Sequence, residues 1–153
     1  MPRELVILST TRPTLGALIT AGAAVDDQLG MRTMFDGGVW QVCRVGDERD
    51  DAVLTVSQPF VATSRGEVDR LVPGAPQLEV PVPVWWLEAL APWGELGAPG
   101  VRIAHELAAL LGGTCVERDG ALGVGEGREL GGGEGRELGG GEGRELGGGE
   151  GRA

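Results

Sequence analysis

Gln77-Leu-Glu-Val-Pro-Val-Pro-Val-Trp-Trp-Leu87 is the stretch on which the fold turns. Leu78, Val80, Val82, Val84 and Trp86 alternate with Glu79, Pro81, Pro83, Trp85 and Leu87, and a period of two is the signature of a strand. The even positions are expected to face the core. Pro81 and Pro83 lack an N–H on one side only, so the other margin could still pair. Prolines of this kind are confined to edge strands, where they also block aggregation. The stretch therefore predicts an edge strand over 77–87.

Working outward, Leu5-Val-Ile-Leu8 is a short continuous apolar run, as in a strand buried on both faces. Ser9-Thr-Thr-Arg12 and Pro13 follow, then Leu15, Leu18, Ile19, Gly22 and Val25 at helical spacing, which predicts a helix over about 13–25. Met31–Phe35 and Val39–Val45 flank Asp36-Gly37-Gly38, a hairpin signal. Ala52–Gln58 reads as a further strand that continues past a bulge at Pro59 through Phe60–Thr63. Arg65–Val72 reads as one helical turn before Pro73-Gly74, and Glu88–Ala98 reads as a loop. Pro99 starts a second helix to about Leu111, with Ile103, Leu107, Leu110 and Leu111 on one face and Gly112-Gly113 closing it. Thr114–Arg118 is a last strand. The order β-α-β-β-β-β-α-β describes an α+β domain over 1–119, a mostly antiparallel sheet with two helices.

Residues 120–153 form a low-complexity tail. Gly127-Arg-Glu-Leu-Gly-Gly-Gly-Glu134 recurs unchanged at 135–142 and 143–150, giving three octads. Half-glycine octads oppose both helix and strand. Leucines eight apart drift about 80° per repeat on a helix and make no stripe. The tail is expected to be a disordered, solvated appendage. Its glutamates and its period of eight do not match calcium-binding glycine-rich repeats.

Charge limits the partners. The 153 residues carry 23 acidic and 13 basic side chains, a net charge of −10, and every basic residue is arginine. Residues 1–119 carry −7 and the tail −3. Neither offers the positive field that draws a protein to nucleic acid or to anionic membrane. Without lysine there is no Schiff base and no lysine-dependent phosphate loop. Two cysteines and one histidine cannot fill a four-ligand zinc site alone. The acids at Asp47, Glu48, Asp50 and Asp51 crowd one turn without the alternating spacing of a calcium loop. No metal and no cofactor are expected. The apolar run at 5–8 is too short for a signal-peptide core, so the expected location is cytoplasmic, with Cys43 and Cys115 reduced.

Catalytic residues are not expected either. His105 falls opposite the apolar face of its helix and reads as a spectator. The strongest functional pointer is aromatic, because Trp85, Trp86 and Trp93 fall within nine residues. Pro81, Pro83, Trp85 and Trp93 are the candidate contact surface of a non-catalytic protein-interaction or regulatory module, whose protein partner is expected to be basic. The first alternative is a small anionic ligand at the strand–helix junction, held by Ser9, Thr10, Thr11 and Arg12. The second is a hydrolase using carboxylates among Glu79, Glu88, Glu95 and Glu106.

Overall fold

A computed structural model describes residues 2–46, 51–72, 74–78 and 80–118, apart from the side chains of Pro76 and Gln77. The acidic turn at 47–50, Glu79 and the repeat tail lie outside the described residues. All described residues belong to the first of the two units into which the chain divides, residues 1–122. The elements run β1 Arg3–Ser9, α1 Leu15–Val25, β2 Leu29–Met34, β3 Val39–Arg44, β4 Asp51–Ser57, β5 Phe60–Ala62 and α2 Arg65–Leu71. A short 3-10 turn at Ala75–Leu78, β6 Val84–Ala91, α3 Ala98–Leu110 and β7 Thr114–Arg118 complete them.

The architecture is α+β. The strands form one sheet in the order β2-β3-β4-β6-β1-β7, with β5 also paired to β6. Every recorded pairing is antiparallel. Among the described residues three helices accompany this sheet rather than two. The additional one, α2, is longer than the single turn expected. Ser64 caps it by accepting from the Glu67 N–H at 3.3 Å, which satisfies one of the orphan donors at its start.

The edge strand expected over 77–87 is not there. Leu78 belongs to the 3-10 turn, residues 80–83 are outside any strand, and the Val82–Pro83 peptide bond is cis. The strand starts at Val84 and runs to Ala91, through part of the expected loop. It lies inside the sheet, paired to β1 along one margin and to β4 and β5 along the other. A strand bonded on both margins needs an N–H at every position, so it can begin only after the last proline. The alternation is real but starts later. Leu87, Ala89 and Ala91 are buried, while Glu88 and Leu90 are exposed.

Elsewhere the pattern reading holds well. β1 is buried on both faces from Leu5 through Leu8. The β2–β3 hairpin turns through Phe35, Asp36 and Gly37, all at positive φ. β4 does continue past a bulge. From Val56 to Phe60 the chain advances four residues, while its partner strand advances three, from Ala89 to Trp86.

α1 and α3 cover one face of the sheet. Leu5, Ile7, Trp40, Val42, Leu54, Val56, Leu87 and Ala89 meet Leu18, Ala21, Ile103, Ala104 and Leu107 there as the main core. α1 starts at Leu15 rather than in the Ser9–Pro13 segment, because the Thr14 hydroxyl accepts from the Ala17 N–H at 3.1 Å. Ile19 and Leu110, both expected on core faces, are exposed.

The opposite face carries a smaller core. Val6, Leu8, Ala62, Val84 and Trp86 meet Val68 and Val72 of the α2 segment. A helix of seven residues is about 10 Å long, while an eight-residue strand spans about 27 Å. α2 therefore covers only one end of the strands on this face, and no other described helix packs on the other end. Arg65 fixes the approach to β6 by donating to the Val80 carbonyl and, at 3.0 Å, to that of Ala75.

Candidate functional site

Glu88 and Leu90 project from β6 on the face that α2 leaves uncovered. The antiparallel register sets Glu4 of β1 beside Leu90, and Arg118 of β7 beside Glu4. Thr55 of β4 pairs with Leu90 from the other margin, and Val39 of β3 lies opposite Ser57. These residues line a groove of about 370 Å³.

The charges in the groove are connected. Arg118 Nη2 donates to Glu88 Oε1 at 3.2 Å, and Arg118 Nε stands 3.7 Å from Glu4 Oε2. The longer contact is an ion pair without a hydrogen bond, and Arg118 Nε is buried with no hydrogen-bond partner among the described residues. The Trp86 indole N–H also reaches Glu88 Oε1, at 3.3 Å. Phe60 stacks on Trp86 with ring centroids 5.8 Å apart and stays half exposed. Charged, hydroxyl and apolar groups thus share one open sheet surface.

The candidate residues read from sequence divide between the two ends of β6. Pro81 and Pro83 are exposed just before the strand, and Trp85 is half-buried at its start opposite Ser9. Trp93 is exposed two residues beyond its end, near Arg3, whose guanidinium lies 4.7 Å from the ring centroid. Six residues of strand separate Trp85 from Ala91, about 20 Å. The two tryptophans do not form one surface.

Arg12 does meet Trp85, with its guanidinium 5.4 Å from the ring centroid. Ser9 is buried and its hydroxyl is engaged. It accepts from the Thr11 N–H at 2.9 Å, and its proton serves the Leu111 and Thr11 carbonyls, each 2.9 Å away. That hydroxyl ties the end of β1 to the end of α3. Thr10 and Thr11 are exposed. A smaller cavity of about 170 Å³ touches Ser9, Thr10 and Pro81 but not Thr11 or Arg12.

Of the carboxylates considered for hydrolysis, Glu88 faces the open groove, Glu95 is exposed in the loop after β6, and Glu106 is exposed on α3 across the sheet. These three do not converge, and Glu79 lies outside the described residues. His105 is half exposed and 3.6 Å from Glu117. Burial, with a smaller push from Glu117, raises the Cys115 thiol to about 12. Among the described residues no group of three or more His, Cys, Asp or Glu could hold a metal ion. No helix among them is long and apolar enough to cross a membrane.

Glu4, Arg118, Thr55 and Leu90 were not singled out in the sequence. They lie on different strands and meet through the register of β1 with β6 and β7 and of β4 with β6. No protein-family model, curated protein or solved structure matches this chain.

Proposed function

We propose that the domain is a non-catalytic protein-interaction module that docks a basic protein partner on the open end of its sheet. The observation that carries this reading is the half-covered face. One side of the sheet lies under two helices, while α2 shields only part of the other. The uncovered part exposes Leu90 beside Glu4, Glu88 and Arg118. Exposed apolar groups rimmed by charge are the pattern of a contact surface. The net charge of −10 favours a basic partner.

The anionic-ligand reading has less to rest on, since the Ser9 hydroxyl is already bonded and Arg12 lies over Trp85. The test is capture of interacting proteins from the native cell by the full chain, with identification by mass spectrometry. Leu90→Lys should release the captured basic protein without changing the melting temperature. Capture that survives Leu90→Lys but is lost with Trp85→Ala would overturn the reading and move the contact to the other end of β6.

A further inference from the structure

The groove holds two carboxylates against one guanidinium. Five N–H donors of Arg118 face two carboxylates with about four acceptor positions each. Only one hydrogen bond joins them, from Arg118 Nη2 to Glu88. The Glu4 carboxylate accepts no hydrogen bond from a described side chain and reaches Arg118 only at 3.7 Å. Its side chain is 42% exposed, and that of Glu88 is 49% exposed. The site therefore has spare acceptors, open to solvent, and one negative charge in excess.

That balance selects the sign of an occupant. An anion could reach Arg118 only by approaching two carboxylates. A cation meets both carboxylates and competes with a guanidinium that is incompletely bonded. Leu90 and Val39 supply an apolar wall for the stem of a long side chain, as basic residues require when they bury their methylenes and keep the charge wet. A volume of about 370 Å³ is near the lower limit of ligand sites, suited to one side chain. Arginine fits better than lysine because its planar fork matches carboxylates two bonds at a time.

We infer that the groove receives one arginine side chain of the basic partner, with Glu4 and Glu88 taking the guanidinium and Arg118 competing from within. The inference rests on the docking reading above and narrows it to one anchor. On binding, Arg118 gives up its contact to Glu4 and keeps its hydrogen bond to Glu88. Arg118 then sets an upper limit on affinity, and its removal strengthens binding.

The probe is N-acetyl-arginine amide, which carries the side-chain cation and no other charge. It is titrated at low salt into the full chain and followed by NMR shifts, with N-acetyl-citrulline amide as the uncharged control. The wild type should bind the arginine probe and not the control. Arg118→Ala should bind it about twofold to fivefold tighter, the range expected from removing one partly exposed ion pair. Arg118→Gln, which retains most of the stem, should act in the same direction. Glu4→Gln with Glu88→Gln should abolish binding at an unchanged melting temperature.

Loss of binding in both Arg118 variants would overturn the inference, because the groove would then read anions. Equal binding of the citrulline control, or no binding by the wild type, would also overturn it. If the probe fails while Leu90→Lys still releases the captured partner, the anchor is wrong and the docking face stands. If Leu90→Lys also leaves capture intact, both fall.

Discussion

Replacing Gly100 with alanine tests how closely α3 lies on the sheet. A Cβ at that position would stand 1.9 Å from the Val53 carbonyl oxygen and 2.8 Å from its carbon. Real Cβ atoms essentially never come within 3.0 Å of such a neighbour, so helix and strand must part by about 1 Å or more. Val53 is fully buried where β4 shifts register against β3. Backbone, not the tip of a flexible side chain, would have to yield. A gap of 0.5–1 Å forfeits about a quarter to a half of each dispersion contact across it. Ile103, Ala104, Leu107 and Ala108 follow on α3 and belong to the same core as Val53. Overpacking costs about 1–3 kcal/mol and occasionally more. Alanine's better helix propensity returns about 1 kcal/mol. A backbone clash belongs at the upper end, so the expected net loss is about 2 kcal/mol. For a domain of this size that lowers Tm by roughly 10 °C. Thermal and urea unfolding by circular dichroism would measure it. Gly16→Ala is the control, since its nearest neighbour is Thr14 Oγ1 at 3.9 Å. It gains propensity without a clash and should stabilise by up to about 1 kcal/mol. A Gly100→Ala protein that melts at or above the wild type would refute the close approach of α3 to β4.

Two further outcomes follow from one buried and one half-buried group. Ser9→Ala leaves the Leu111 carbonyl and the Thr11 N–H short of a partner, and should cost about 1–3 kcal/mol in urea unfolding; no loss would mean that water replaces the hydroxyl. Cys115, raised from 9.0 to about 12 by burial and then by Glu117, stays protonated in the fold at pH 8. Iodoacetamide should label it far more slowly in native protein than in urea, and equal rates would contradict its burial. The sign of the linkage follows from the raised value. Its contribution to stability is complete below about pH 9 and is lost as pH rises toward 12.

Local signals carried most of the secondary structure. The continuous run at Leu5–Leu8 marks a doubly covered strand because both of its faces meet apolar layers. Pro99 before an apolar helical face and Gly112 at positive φ bracket α3. What pattern alone could not fix was where β6 begins. Valine–proline alternation mimics a strand, but the prolines rule out pairing on both margins, and only the neighbours decide how many margins are paired. Ile19 misled for a related reason. α1 buries small residues, Ala21 and Gly22, against its neighbours, so larger side chains nearby turn outward. The groove was the least legible feature. Glu4, Glu88 and Arg118 are separated by dozens of residues, and each is an ordinary surface charge by composition. Their meeting depends on β6 and β7 flanking β1 in one particular register.

The most direct measurement is an amide-resolved NMR titration of the full chain with an arginine-bearing peptide taken from the captured partner. The account predicts that shifts concentrate on Glu4, Thr55, Glu88, Leu90 and Arg118, on the face that α2 leaves bare. Shifts confined to Arg12, Trp85 and the 80–83 segment would contradict it.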